Sequence, residues 1–188
     1  MTDRQAAREL LRGRRRGLPV AERERHSLAV CQRIGDSAVF EAAERIGLYR
    51  AADGELDPAQ LGTTARASGA ATWYPVVDGE AMQFRRWDGE GGLRVGAFGI
   101  EEPVDGEQIA GVELDLVIVP LVGFDSSGHR LGMGKGYYDR AFAARPGQDG
   151  PLLIGTAFDE QELESIDPEA HDVALDVIVT PTRWIAPR

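Results

Sequence analysis

Between residues 114 and 144 an apolar run gives way to three glycines at alternate positions, and few chain paths can accommodate that order. Leu114 to Val122 contains Val117, Ile118, Val119 and Leu121 and reads as a buried strand. Gly132, Gly134 and Gly136 cannot form the interior of a strand or helix, because each adds backbone freedom that folding must remove and none adds packing. They mark a loop, and Tyr137 to Ala144 behind them reads as a helix. Strand, glycine loop and helix in succession are how α/β proteins build anion sites, since loop N–H groups and a helix N-terminus aim partial positive charge at one spot. The expected guest is a phosphate.

Lys135 stands inside this loop, the one lysine in a chain with twenty arginines. Two common phosphate fingerprints do not fit. A Walker loop needs Ser or Thr after its lysine, and Gly136 follows Lys135. The dinucleotide pattern G-x-G-x-x-G fails on spacing, and no acid about 20 residues on offers a persuasive ribose ligand.

A length of 188 residues suits one domain, residues 1–188, with residues 1–38 as a basic helical pair packed on it. Cys31 is the sole cysteine, which excludes a disulfide framework and a cysteine zinc site within the chain. No apolar run approaches the ~18 residues of a membrane span and no hydrophobic signal core is present, so a cytoplasmic protein without a membrane partner is expected. The net charge of −10 is uneven: residues 1–18 carry +4 and the remainder −14, an acidic body that disfavours nucleic acid. An arginine-rich transit peptide is the second reading of the start, opposed by Asp3 and Glu9 and the lack of serine.

Arg4, Arg8 and Arg12 recur every four residues and so line one face of a first helix, which is either a solvated face or a row converging on an anion. Gly17-Leu18-Pro19 ends it, and a second helix is expected from Ala21 to Ser37 with Leu28, Cys31 and Ile34 as its buried stripe. Strands are expected at 45–49, 71–76, 81–87, 115–120, 152–157 and 175–180, with helices at 57–67 and around 160–164. Gly89 to Gly92 and Arg145 to Gly150 read as exposed loops. The alternation predicts a three-layer α/β fold with a mostly parallel, Rossmann-like sheet and an antiparallel hairpin joined at Asp78-Gly79-Glu80. Ligands in such folds gather beyond the carboxyl ends of the strands, where the glycine loop lies.

The stretch from Pro120 to Arg140, ending in RLGMGKGYYDR, closely resembles the signature of 5-formyltetrahydrofolate cyclo-ligases. Further likenesses are Arg4-Gln-Ala-Ala-Arg8, Glu22-Arg23, Gly47 to Arg50 through Glu55, Gly99 to Pro103, and Asp172 to Pro181, so the resemblance covers most of the chain. It implies ATP- and Mg2+-dependent closure of 5-formyltetrahydrofolate to 5,10-methenyltetrahydrofolate by a monomer. It further implies nucleotide contacts from Arg4, Arg8, Arg130, Leu131, Gly132, Met133, Gly134, Lys135, Gly136, Tyr137 and Tyr138. Substrate contacts are implied at Arg50 and Glu55 and, overlapping the nucleotide, at Met133 to Tyr137; magnesium is implied at Asp139 and Asp172. No protein nucleophile is required.

This chain departs from the family pattern in carrying Arg4 for lysine, Ala7 for leucine, and Met133 where some relatives have arginine. Arg50 aligns with an apolar substrate-lining position of some relatives. Structural alternatives stand beside these roles: Asp139 as a helix cap, Asp172 as a turn residue, Tyr137 and Tyr138 as core with one facing ligand. Trp73, Trp87 and Trp184 read as packing, and His26, His129 and His171, which lack metal spacing, as surface or loop residues. Two other function classes compete with the ligase. One is a folate- or nucleotide-binding regulatory module without turnover; the other, a sugar-phosphate or acyl-transfer enzyme, lacks a convincing nucleophile or base.

Overall fold

The computed structural model describes residues 4–145 and 150–187. Helix α1 (Arg4–Gly17) ends at the Gly-Leu-Pro break, and α2 (Val20–Gly35) begins directly after Pro19, whose extended backbone precludes a continuous helix. A single turn, α3 (Ala38–Glu41), opens with Ser37 Oγ accepting from the Phe40 N–H and leads into β1 (Arg45–Gly47). Helix α4 (Ala59–Ala67) then crosses to β2 (Ala71–Asp78), which turns back into β3 (Ala81–Arg86). Next come β4 (Leu93–Val95), β5 (Glu101–Pro103), β6 (Gln108–Ile109), β7 (Leu116–Pro120), β8 (Gly123–Phe124) and β9 (Arg130–Leu131). The short α5 (Tyr137–Phe142) follows the glycine loop, and β10 (Leu152–Thr156), β11 (Val177–Val179) and β12 (Trp184–Ile185) complete the order.

Eight strands form one sheet in the order β12-β11-β10-β7-β1-β2-β3-β6. The five from β11 to β2 are mutually parallel, and the β2–β3 hairpin, β6 and β12 add antiparallel edges. Strand β7 lies between β10 and β1 and is buried on both sides. Its Leu116 and Ile118 join the layer made with α2 and α4, while Val117 and Val119 join the layer made with α5. Two covered faces are why its sequence is uniformly apolar rather than alternating. A third cluster docks α1, with Ala7 and Leu11 against Val122, Leu131 and Ile166.

The three-layer α/β fold, its mostly parallel sheet and its hairpin match the expectation from sequence. The stripe of α2 matches at Cys31 and Ile34 but not at Leu28. Leu28 is 58% exposed, and the buried positions are Ser27, Val30, Cys31 and Ile34. That set keeps the 3.6-residue repeat, and Ser27 is drawn inward because its Oγ accepts the Asp57 N–H at 3.0 Å. The helix expected around 160–164 is a 3₁₀ turn over Asp159–Gln161, since Gln161 turns its amide inward to the carbonyls of Leu121 and Val122. The strands expected at 45–49 and 175–180 pair only over 45–47 and 177–179. The β4–β5 and β8–β9 hairpins were not foreseen, because strands of two or three residues carry too little pattern. Gly89 to Gly92 is an exposed loop as expected; of the 145–150 loop, residues 146–149 lie outside the described residues.

The corrected stripe has a direct consequence for stability. Val30→Ala is expected to lower unfolding free energy by about 2 kcal/mol, whereas Leu28→Ala should change it by less than ~0.5 kcal/mol. Denaturant titration of the two variants checks this, and the reverse order would restore the stripe read from sequence.

Candidate functional site

Beyond the carboxyl ends of β1, β7 and β2 lies a cleft of about 490 Å3. Its walls come from α1, the loop after β1, the β2–β3 hairpin, the end of β7, the glycine loop with α5, residues 169–172, and the β4–β5 hairpin. Arg4, Arg8 and Arg12 all face it, so the arginine row of α1 is turned to the cleft. Arg50, Glu55, Arg130, Gly132, Met133, Gly134, Lys135, Gly136, Tyr137, Tyr138, Asp139 and Asp172 line it too. Leu131 is the exception among the expected residues. Its side chain is buried in the cluster that docks α1, so it can contribute to the site only through the backbone it anchors.

The glycine loop is held from three sides. Arg8 Nε donates to the Gly132 carbonyl at 2.9 Å. Arg140 donates to the Lys135 carbonyl at 2.9 Å and to the Glu80 carbonyl at 3.0 Å, and the Tyr137 hydroxyl donates to the Gly79 carbonyl, tying the loop to the β2–β3 turn. Arg130 bonds both Asp139 and the Val173 carbonyl, joining the loop to the segment before β11. Gly134 and Gly136 have φ of +82° and +66°, where a side chain is strained. A Cβ on Gly134 would also lie 3.3 Å from the Arg8 guanidinium, and one on Gly136 2.8 Å from that of Arg140.

Charges in the cleft sort into two kinds. Arg4 is paired with Asp172 at 2.8 Å, Arg12 with Asp53 at 2.7 Å, Arg50 with Glu101 at 2.7 Å, and Arg130 with Asp139. Arg8 and Lys135 have no carboxylate partner among the described residues. Lys135 Nζ lies 6.0 Å from the centre of the Phe98 ring. Unpaired cations beside glycine N–H groups make this corner the part of the cleft most receptive to an anion.

Asp139 sits in the first turn of α5, yet its Oδ1 accepts from Arg130 and from the Val173 N–H rather than capping its own helix. Asp172 is both a turn residue and a cleft residue: its Oδ2 accepts the Glu169 N–H at 2.9 Å and the Arg4 guanidinium. Burial pushes the Asp172 carboxyl up, but those two donors hold it below the ordinary carboxylate range. Among the described residues no hydrogen bond reaches Asp139 Oδ2 or Asp172 Oδ1. Two carboxylates on one cleft, each with an unused oxygen, suit Mg2+, which takes one or two carboxylates together with phosphate oxygens and water. His171 is exposed as expected, but it gathers with Glu169 and Asp172, their ligand atoms within 4.8 Å of one another.

The loop after β1 brings a different environment. Glu55 Oε2 accepts the Ala52 N–H at 3.1 Å, and Oε1 lies 3.6 Å from Arg15. Burial raises the Glu55 pKa against the opposing charge of Arg15. Burial also pushes the Tyr138 hydroxyl up, with the Glu55 charge adding to it, so these two groups share one end of the cleft. Asp53, not singled out from sequence, has φ +53° and takes Arg12, Arg15 and Arg16 on its carboxylate. Burial pushes its pKa up, but the three guanidinium groups hold it down at about 2. The dipeptide Asp53-Gly54 was the available signal, since Asp-Gly marks turns with positive φ.

Phe98 was also missed. It is 61% exposed at φ +61° in the turn between β4 and β5, edge-on to Tyr137 with ring centres 5.8 Å apart. Its place between the glycines of Gly96-Ala-Phe98-Gly99 was the sequence hint. The three tryptophans do not line the cleft: Trp73 is core, Trp87 packs beside Tyr74, and Trp184 lies on the edge strand β12.

The sequence model of the 5-formyltetrahydrofolate cyclo-ligase family matches residues 1–181. A protein of Mycolicibacterium smegmatis named 5-formyltetrahydrofolate cyclo-ligase is 32% identical over 183 residues, covering 91% of this chain and 90% of that protein. The Escherichia coli K12 protein of the same name is 28% identical over 185 residues, covering 93% and 98%. Among solved structures, the 5,10-methenyltetrahydrofolate synthetase of Aquifex aeolicus superposes with a TM-score of 0.87 at 32% identity, covering 98% of this chain and 93% of that one. The glycine loop, the arginine row and the paired aspartates thus occur on a chain that matches one family nearly end to end, and this chain belongs to the 5-formyltetrahydrofolate cyclo-ligase family.

Proposed function

We propose that this chain catalyses the ATP- and Mg2+-dependent closure of 5-formyltetrahydrofolate to 5,10-methenyltetrahydrofolate, releasing ADP and phosphate. The observation that carries the reading is that Arg8, Lys135 and the glycine loop meet Glu55 and two aspartates in one cleft of about 490 Å3. The formyl oxygen of the substrate attacks the γ-phosphorus of ATP and ADP leaves. N10 then attacks the resulting iminium carbon and releases its proton to solvent, and the C–O bond breaks as phosphate departs with the oxygen. Such a sequence needs positioning and neutralisation of anionic oxygens rather than a protein nucleophile.

Arg4, Arg8, Lys135 and the loop N–H groups are assigned to the nucleotide phosphates. Asp139 and Asp172 would hold Mg2+, which would supply further neutralisation of that charge. Glu55 is assigned to hydrogen-bond donors of the pterin, with Arg50 and Tyr137 beside it. Burial of Glu55 makes it a strong acceptor when ionised and lets it fall silent when protonated.

Mixing the purified chain with 5-formyltetrahydrofolate and Mg-ATP should generate the methenyl chromophore and release one phosphate per product. Calorimetric binding of both ligands with no product would favour the non-catalytic binding module instead. Gly134→Val should lower kcat/KM on the order of 100-fold, because the αL backbone costs a β-branched residue ~1–2 kcal/mol and the new side chain displaces Arg8. Lys135→Gly should raise the KM for ATP only several-fold, a difference that steady-state kinetics resolves. For Glu55, folding raises the pKa, so its contribution to stability is present at acid pH and lost as pH rises through the raised value. Glu55→Gln should therefore gain stability near pH 7 and lose on the order of tenfold or more in kcat/KM for the folate. The wild-type profile should lose activity on its acid side above the pH of an ordinary glutamate, and that limb should vanish in the variant.

A further inference from the structure

Asp53 is absent from every role discussed so far, yet three arginines of α1 converge on it. Arg12 Nε and Arg15 Nη2 reach its Oδ2 at 2.7 and 2.9 Å, Arg16 grips its Oδ1, and Arg15 Nε reaches its carbonyl at 3.0 Å. Its backbone is held at φ +53°, a conformation costly for a residue with a Cβ and kept only where the surroundings demand it. Three residues upstream stands Arg50 and two residues downstream Glu55, while α1 carries Arg4 and Arg8. Arg15, with no exposed surface, extends the same junction to the Leu121 carbonyl at the end of β7.

We infer that Asp53 is a positioning residue that fixes the α1 arginine row relative to the Glu55 loop, and so sets the distance and angle at which the two substrates meet. The inference rests on the proposed ligase reading, in which α1 holds the nucleotide and the Glu55 loop holds the folate. Each half keeps its own ligand contacts without Asp53; what it loses is registry with the other half. Transfer of a phosphoryl group between two bound ligands is sensitive to that registry, since a misplacement of about 1 Å can cost ~100-fold in rate.

Asp53→Asn is the discriminating variant, because asparagine tolerates positive φ and matches the shape while removing the charge that holds three guanidinium groups. At a temperature where the variant is fully folded, kcat should fall on the order of tenfold or more, while calorimetric Kd values for Mg-ATP alone and for 5-formyltetrahydrofolate alone stay within about twofold of wild type. Val30→Ala serves as the control for plain destabilisation, with a lower Tm and unchanged kcat. An Asp53→Asn protein that shows only the lowered Tm overturns the inference, since Asp53 is then a brace for the fold. A rise in one Kd alone also overturns it, by making Asp53 a direct ligand contact. If Asp53→Asn does not fold, Arg16→Gln carries the test: Arg16 bonds Asp53 from outside the cleft, so a kcat drop of about threefold at constant Kd supports the role and an unchanged kcat sinks it. Wild-type protein that forms no product removes the ligase reading, and the positioning role with it.

Discussion

The guanidinium of Arg15 is the point from which the arrangement of this protein is most easily understood. A charge removed from water costs several kcal/mol unless its donors are met. Here they meet the carbonyl and carboxylate of Asp53, the Leu121 carbonyl, and at longer range Glu55. These acceptors belong to the loop after β1 and to the end of β7, so the buried cation ties the first helix to two adjacent strand ends. Hydrophobic contact alone, through Ala7 and Leu11, would leave α1 free to slide on its apolar patch. Directional bonds to fixed carbonyls remove that freedom, and with α1 fixed its row of arginines has a fixed target.

A cleft lined by so many cations has to survive without a ligand. It does so by internal pairing: Asp172, Glu101 and Asp139 each answer one cleft arginine, and Asp53 answers Arg12 together with Arg15 and Arg16. The cations left over, Arg8 and Lys135, lie beside the glycine N–H groups. That division separates residues that build the cleft from those with charge to offer a guest. An incoming anion would compete with these aspartates for Arg4 and Arg130, so binding and local rearrangement would be coupled by charge balance.

The glycine loop was legible because alternate glycines between a strand-like apolar run and a helix start mark a loop, and the family resemblance supplied the chemistry that the spacing alone left open. The arginine row of α1 was legible from a four-residue period, though whether it met solvent or a ligand was not. Leu28 shows the limit of periodicity: Cys31 and Ile34 mark the buried face, but Ser27 and Val30 complete it instead of Leu28, with Ser27 held inward by its bond to Asp57. Asp53 and Phe98 were passed over because nothing in composition distinguishes them from loop residues, and their importance lies in positive φ and distant partners.

The amino-acid sequence by itself determined the longer strands and helices, where the backbone must be free of side chains, and which family the chain resembles, because these depend on neighbours within a turn or two. Only the tertiary structure decided that Arg4 meets Asp172, that Arg8 grips Gly132 and that three arginines share Asp53. Those partners lie about 40 to 170 residues apart along the chain. No local pattern encodes such pairs; they exist because the sheet order brings separate strand ends to one place, and the cost of leaving buried charge unmatched selects who faces whom.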